Sequence, residues 1–186
     1  AVAKVAERAK SVPKGGWIFG AGWDEGAWAN RYPDKKQLSA AVPDHPVVLR
    51  SLHGFAIWTN QAALDASRIT RSSPVPVGGE MRLGADGEPG GLFLNRAAAM
   101  VDAAVPPEPP AVVARHALKG LTQMATDGYV AVHEAGVPAQ AMAALQSLED
   151  ENRLPIRVYA MLSLRDPPLM RQWIAKGPDR DTDSMF

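Results

Sequence analysis

The second half of the chain alternates helical and strand patterns in regular order, and this alternation constrains the fold most. Residues 111–126 repeat apolar side chains at helical spacing, and Gly128 follows where a helix commonly ends. A strand at 129–132, a helix at 138–152, a strand at 156–164 and a helix at 167–176 come next. Because this is the order of βα units with right-handed crossovers, it predicts parallel, adjacent strands in an α/β sheet or barrel.

The strand at 156–164 carries apolar residues at both alternating sets of positions, which predicts a parallel strand buried on both faces. A (β/α)8 barrel needs eight βα units, and this segment supplies about two. The sequence therefore predicts an incomplete TIM barrel whose other units lie outside the chain.

The first half predicts a separate, smaller α+β lobe. A helix over 1–11 ends before Pro13, and short strands at 17–19 (buried) and 46–52 are bounded by Gly and Pro. Asn60 is suited to cap a helix over 61–66, and Asp86-Gly87 is a hairpin signal between 80–83 and 91–94. The glycines at 78–79 and 84–91 are interpreted as turn glycines, and a helix is expected at 95–104.

The Pro-rich stretch 106–110 predicts a stiff linker, which divides the chain into the lobe 1–105, with its entering helix, and the βα units 111–186. The chain starts without Met and stops soon after Gly177-Pro178, which suggests a piece of a longer protein.

Composition excludes several classes of function. The 186 residues contain 20 Lys and Arg against 20 Asp and Glu, so no net charge attracts nucleic acid or an anionic membrane. The absence of cysteine excludes disulfides, thiolate metal sites and a cysteine nucleophile, and makes the cytoplasm the default compartment. No apolar run approaches the roughly 18 residues of a membrane-spanning helix.

The four histidines do not make a metal site by spacing. His45, His53, His116 and His133 include no His-x-His pair, and His133-Glu134 lacks the second histidine of the zincin motif. We expect His45, in a turn, and His116, on a helix, to be surface or boundary residues. Serine catalysis is also unsupported, because no Gly-x-Ser-x-Gly motif occurs.

Two histidines follow predicted strands and are candidates for a substrate pocket. His133 and Glu134 come after the strand at 129–132, at the edge where α/β sheets and barrels bind ligands. His53 follows the strand 46–52, with Arg50, Phe55 and Trp58 as aromatic and cationic neighbours suited to planar or carboxylate ligands. The alternative for His133 is a structural histidine that is hydrogen-bonded within the barrel mouth. The alternative for the His53 region is a loop whose aromatic side chains pack against the hairpin.

Trp17, Trp23 and Trp28 fall within twelve residues. Tryptophans at this density either fill a core or line a pocket, and composition favours the core. Trp23 is nevertheless retained as a pocket candidate.

The order of several short blocks resembles amidohydrolase family 3 over nearly the whole chain. The blocks are 16–24 (GWIFGAGWD), 46–54 (PVVLRSLHG), 58–64 (WTNQAAL), 79–80 with 86–92, 128–136 and 154–162 (LPIRVYAML). The resemblance implies a metal-dependent hydrolase with a (β/α)8 barrel and a β-rich domain built from both termini. Members of this family cleave amide-type C–N bonds and include N-substituted formamide deformylases.

The same resemblance implies where this chain lies in the family pattern. It would begin after the first barrel strand, hold a large insertion, include strands two and three, and end before the fourth. The family's metal ligands lie on strands one, four, five and six, with a catalytic Asp on the eighth, so a divalent metal such as zinc would be held outside this chain, which carries no metal ligand of its own.

By that pattern, His53 matches the histidine of an Asp-Gly-His-like block and His133 that of a Val-His-Asp-Ala-Gly-like block, both near the substrate pocket. Here the first block reads Leu52-His53-Gly54 instead, and the second has Glu134 in place of its aspartate. The expected partners are a small-molecule substrate, the rest of its own barrel and, in one arrangement, a second copy in a homo-oligomer. The alternative from another class is a non-catalytic module that binds a small molecule or a protein.

Overall fold

The computed structural model describes residues 1–28, 32–164, 166–178 and 183–186. Their backbone contacts divide the chain into an N-terminal unit, Ala1–Pro106, and a C-terminal unit, Pro107–Phe186. The division falls within the Pro-rich stretch, and Pro110 already begins a helix.

The N-terminal unit is a mixed five-stranded sheet with helices on both faces. Its strands lie in the order β1-β2-β3-β5-β4, with β1 and β2 parallel and the other neighbours antiparallel. The elements are α1 (Val2–Ala9), β1 (Ile18–Trp23), a 3-10 turn (Glu25–Ala27), α2 (Lys35–Ala41), β2 (Val47–Ser51), β3 (Ala56–Thr59), α3 (Gln61–Ala66), β4 (Gly79–Leu83), β5 (Pro89–Asn95) and α4 (Ala98–Asp102).

Alternation along the central strands produces two separate apolar cores. Leu49 and Trp58 point to one face, where Val5 of α1 and Leu38 of α2 cover them. Val48 and Ile57 point to the other face, together with residues of α3 and α4. Both faces of β2 and β3 are therefore largely buried, which is why most residues of these strands are apolar.

Asn60 connects the elements around β2 and β3. Its side chain is completely buried, and its Oδ1 accepts hydrogen bonds from the backbone N–H groups of Val47 at 3.0 Å and Ala63 at 3.1 Å. Its Nδ2 donates to the carbonyl oxygens of Val42 and His45, each at 2.8 Å. The cap of α3 expected from the sequence is confirmed, and the same amide also joins the end of α2 to the start of β2.

Several sequence predictions for this unit need correction. The strand predicted at 17–19 begins at Ile18 and continues to Trp23 at the edge of the sheet, and Phe19 is 55% exposed, so the strand is not fully buried. Helix α2 and strand β3 were not predicted. Gly79, Gly90 and Gly91 lie in strands, whereas Gly87 occupies the predicted hairpin turn.

The C-terminal unit is a βαβ unit with flanking helices: α5 (Pro110–Thr126), β6 (Ala131–Val137), α6 (Ala139–Asp150), β7 (Arg157–Leu162) and α7 (Pro167–Lys176). Strands β6 and β7 are parallel and adjacent, which confirms that prediction. Gly128 has a positive φ of 94° just beyond the end of α5, as the helix-ending glycine requires. Apolar residues of α5, α6 and α7 pack on one face of the strands.

Two predictions for this unit were wrong in detail. Strand β6 begins two residues later than predicted, because the backbone N–H of Tyr129 donates to the carbonyl oxygen of Met124 at the end of α5, and the strand runs on to Val137. The prediction that β7 is buried on both faces fails within the described unit, where Tyr159 is 62% and Met161 41% exposed. Among the described residues, no helix is both long and apolar enough to cross a membrane.

We predict that Asn60→Ala lowers the free energy of unfolding by about 4 kcal/mol, because it leaves buried backbone donors and acceptors without partners. Urea denaturation followed by tryptophan fluorescence measures the change. Gln61→Ala, on the exposed neighbouring position, is the control and should stay within about 0.5 kcal/mol. An Asn60→Ala chain as stable as the control would contradict the assigned role.

Gly91 and Gly87 allow a matched comparison, since both have positive φ, of 85° and 75°. A Cβ at Gly91 would lie 2.5 Å from the carbonyl oxygen of Thr59 and 2.7 Å from the Cβ of Lys35, whereas a Cβ at Gly87 meets nothing within 4 Å. Gly87→Ala should therefore cost about 1 kcal/mol for the strained φ alone, and Gly91→Ala at least about 3 kcal/mol. Equal losses in thermal melts would argue against the close approach at Gly91.

Candidate functional site

Within the described residues, the helices of the C-terminal unit cover one face of β6 and β7, and the opposite face, here called the helix-free face, is the best candidate site of this unit. Strand alternation and the register place six side chains on this face. They are Ala131, His133 and Ala135 of β6, opposite Arg157, Tyr159 and Met161 of β7. All six are exposed, while Val132, Val158 and Leu162 on the other face pack against the helices.

His133 and Tyr159 form the centre of this face. They are register partners, and their ring centroids lie 5.1 Å apart with planes tilted by 42°. This separation is within the range of favourable aromatic contacts. Tyr159 was not predicted as a site residue; the parallel pairing of the two strands, once their starts are known, is the signal that identifies it.

His133 and Glu134 do not lie side by side after the end of a strand, as their sequence positions predict. His133 is the third of seven residues in β6, because the strand starts later than predicted. Glu134 pairs with Ala160, whose side chain lies on the helix-covered face, so the two neighbours point in opposite directions. Glu134 is nevertheless exposed.

A register shift marks the C-terminal end of β6. The pairing with β7 slips between Ala135 and Val137, and Gly136, at the shift, has a φ of 124°. Such bulges bend a strand and are common at barrel rims and beside active sites. The positive φ at this position favours glycine, so the local backbone conformation explains the glycine that ends the His133–Gly136 block.

The candidates of the N-terminal unit do not form one aromatic and cationic surface. Arg50 pairs with Ile57 in the register and Trp58 pairs with Leu49, so Arg50 and Trp58 lie on opposite faces of the sheet. The Arg50 guanidinium donates to Asp102 of α4 at 2.7 Å. His53 lies exposed in the turn between β2 and β3.

Trp23 and Trp58 are core residues of their unit, with 6% and 1% exposure. Their indole N–H groups donate to the carbonyl oxygens of Leu49 and Asp34, both at 2.8 Å. Trp28 completes an edge-to-face cluster, 5.7 Å from Trp23 and 5.6 Å from Trp58. The core alternative considered for Trp17, Trp23 and Trp28 therefore describes Trp23, and the pocket candidate Trp58 is a core residue as well.

The remaining histidines differ from each other. His45 is only 8% exposed, and its Nδ1 lies 3.2 Å from the carbonyl oxygen of Gly16, so the expectation of a surface or boundary residue was wrong. The cause is that the loop before β1 packs over the turn that holds His45. His116 is on the surface as expected, with its side chain 57% exposed and 3.6 Å from a Glu108 carboxylate oxygen.

The described residues do not fit a metal centre. No three His, Cys, Asp or Glu side chains within them lie close enough together to hold an ion.

The pKa of Glu151 is lowered, mainly by the hydrogen bond from Arg153 and in addition by the hydrogen bond from Ser147. Glu151 follows α6, at the end of the unit where β7 begins, so it is remote along the strands from the bulge at Gly136.

A cavity of about 520 Å³ lies beside β7 within the C-terminal unit. It is lined by Met142, Gln146, Tyr159, Trp173, Ser184 and Phe186, among others. The backbone N–H of Val158 donates to the carbonyl oxygen of Met185 at 2.7 Å, so the last residues run beside β7. Tyr159 therefore borders both this cavity and the helix-free face.

Comparison with solved structures defines the fold class. The chain superimposes over 97% of its length on 34% of an uncharacterized metal-dependent hydrolase from Pyrococcus horikoshii OT3, with a TM-score of 0.66 and 20% identity. A second uncharacterized metal-dependent hydrolase, from Pyrococcus furiosus, gives 0.64 and 22% over the same share of this chain and 36% of that protein. The fold is thus one found in metal-dependent hydrolases.

The family follows from sequence. A model of the amidohydrolase family matches residues 1–183, and this chain belongs to that family. The resemblance found in the sequence blocks is thereby confirmed.

Individual relatives match about half of the chain. The Bacillus subtilis (strain 168) protein named amidohydrolase YtcJ is 40% identical over 102 residues, which are 54% of this chain and 19% of that protein. The N-substituted formamide deformylase of Arthrobacter pascens is 31% identical over 105 residues, 55% of this chain and 19% of that protein. The matched segment thus spans about a fifth of each relative.

Burial predicts how the histidines affect stability. His53→Ala and His133→Ala should change the free energy of unfolding by no more than about 0.5 kcal/mol, because both side chains are exposed. His45→Ala should cost about 2 kcal/mol through lost burial and the unpaired Gly16 carbonyl. Chemical denaturation of the three variants tests this; a large loss for His133→Ala would make it a structural residue.

Proposed function

We propose that this chain is a segment of a metal-dependent amidohydrolase that hydrolyses amide-type C–N bonds of a small molecule. The observation that carries the proposal is the family match over residues 1–183. The name of the Arthrobacter pascens relative, N-substituted formamide deformylase, supports an amide-type substrate. Because the described residues do not fit a metal centre, the divalent metal, zinc in this proposal, would be held by other parts of the protein, and the segment alone would be inactive.

We further propose that the C-terminal unit is part of a (β/α)8 barrel, about strands two and three, and that the N-terminal unit is a lobe inserted before it. The parallel pairing of β6 and β7 and the helices on one of their faces support this assignment. In such barrels the helix-free face of each strand points to the interior, where ligands bind at the C-terminal ends of the strands. His133 and Tyr159, in the middle of their strands, would then point to this interior below the C-terminal ends, and His133 would reach the substrate from there.

In this proposal, His133 contributes a hydrogen-bond donor. Within the part of the chain that the structure describes, no hydrogen bond occupies its ring nitrogens. A neutral imidazole on the interior face is able to donate to a carbonyl oxygen as negative charge develops there, which stabilises the transition state. Ala131 and Ala135 on either side leave space for the substrate beside the ring.

The complete gene product, assayed on a panel of N-substituted amides, tests the proposed activity. We expect hydrolysis that is lost after chelation and restored by a divalent metal, and no hydrolysis by the 186-residue chain. A complete protein that binds such amides with the same affinity after chelation, and never cleaves them, would instead be the non-catalytic module considered from the sequence.

The role of His133 is tested by kinetics of the same protein. His133→Ala should lower kcat/KM roughly a hundredfold, the loss typical of one oriented donor, with metal content unchanged. His116→Ala, on the surface of α5, is the matched control and should leave kcat/KM unchanged. Equal kcat/KM for the two variants would remove His133 from the site.

A further inference from the structure

We infer that Tyr159 is a positioning residue for the His133 imidazole, so that the two rings act as one unit of the site. The inference rests on the proposed function for the catalytic importance of His133. The contact itself is a property of the C-terminal unit alone, and it is testable without any assay of hydrolysis.

The backbone brings these two side chains together. His133 and Tyr159 are direct partners in a parallel pair, and both point to the helix-free face. Their ring centroids are 5.1 Å apart at a tilt of 42°, which is a contact through ring faces and edges. Neighbouring strands are held about 4.8 Å apart by their hydrogen bonds, so the backbone fixes the spacing of the two rings.

Within the described residues, the ring contact with Tyr159 is the interaction that orients the His133 side chain. On β6 its neighbours on the same face are Ala131 and Ala135, whose single methyl groups do not reach over the ring. Within the described residues, neither ring nitrogen has a protein hydrogen bond that would fix the imidazole. An exposed histidine without any such contact would exchange rotamers freely on a picosecond to nanosecond timescale.

A ring contact orients the imidazole in a way that a hydrogen bond would not. It restricts the side-chain torsions while both nitrogens stay available to a ligand, and it does not select one tautomer. The same histidine is therefore able to donate or accept at the substrate. Tyr159 itself is 62% exposed, so filling the core of its unit does not account for an aromatic residue at this position.

Proton NMR on the 186-residue chain tests the contact directly. In the wild type we expect cross-relaxation between the ring protons of His133 and Tyr159, and His133 ring signals shifted by the neighbouring ring current. Tyr159→Phe should preserve the His133 shifts, whereas Tyr159→Leu should move them to the values of a free histidine and average its side-chain couplings. His116 is the internal control, because its signals should not change in either variant.

The wild-type cross-relaxation needs no variant, so a folding defect in Tyr159→Leu would not remove the test. Absence of this signal between the two rings, or His133 shifts and couplings that are the same in Tyr159→Leu as in the wild type, would overturn the inference.

Kinetics of the complete enzyme separate this inference from the proposed function. Tyr159→Leu should lower kcat/KM by at least about fivefold, the double variant with His133→Ala should be no worse than His133→Ala alone, and Tyr159→Phe should be close to wild type. A Tyr159→Leu effect that adds fully to that of His133→Ala would overturn positioning. If NMR shows the contact while neither single variant changes kcat/KM, the two rings are paired but the proposed role of His133 in the reaction fails.

Discussion

The N-terminal unit depends on one buried amide. Asn60 uses both lone pairs of its oxygen and both hydrogens of its nitrogen, all on backbone groups. A buried amide that lacked any of these partners would carry a large desolvation cost, so the bonds select one arrangement of the surrounding chain. That arrangement joins the end of α2, the turn before β2 and the start of α3 immediately after β3. The register of the central strands, and through it the two apolar cores, follows from this junction.

Local signals were sufficient where a structure is decided by a few neighbouring residues. Asn60 as a helix cap and Asp86-Gly87 as a hairpin turn both involve partners within three residues, and both were predicted from the sequence. The other bonds of Asn60 reach residues up to 18 positions away, which no local pattern reveals. Strand β3 is four residues long, and its apolar residues, including Trp58, were equally consistent with a loop packed on the hairpin.

The candidate site shows the same limit in another form. Tyr129 and Val130 have side chains typical of strands, yet both are exposed in the loop, and strand pairing starts at Ala131. Because the strand begins later than predicted and runs on to Val137, His133 lies within it and not after its end. The helices α5, α6 and α7 cover one face of β6, and their packing decides which face that is. Strands with apolar residues at successive positions do not indicate the covered face from sequence alone. The separation of His133 from Glu134 required the structure.

The helix-free face also explains why the fold and the proposed site belong together. Parallel sheets are normally covered on both faces, because exposing apolar surface to water is unfavourable in free energy. Here Tyr159 and Met161 are exposed on one face, beside two alanines that leave room around His133. In the proposed barrel, the remaining strands would enclose this face, exclude water from it and strengthen the electrostatic effect of any donor it carries. The same enclosure would bring metal ligands from other strands towards His133, so binding groups and metal would come from different parts of the chain and the reaction would require the closed barrel.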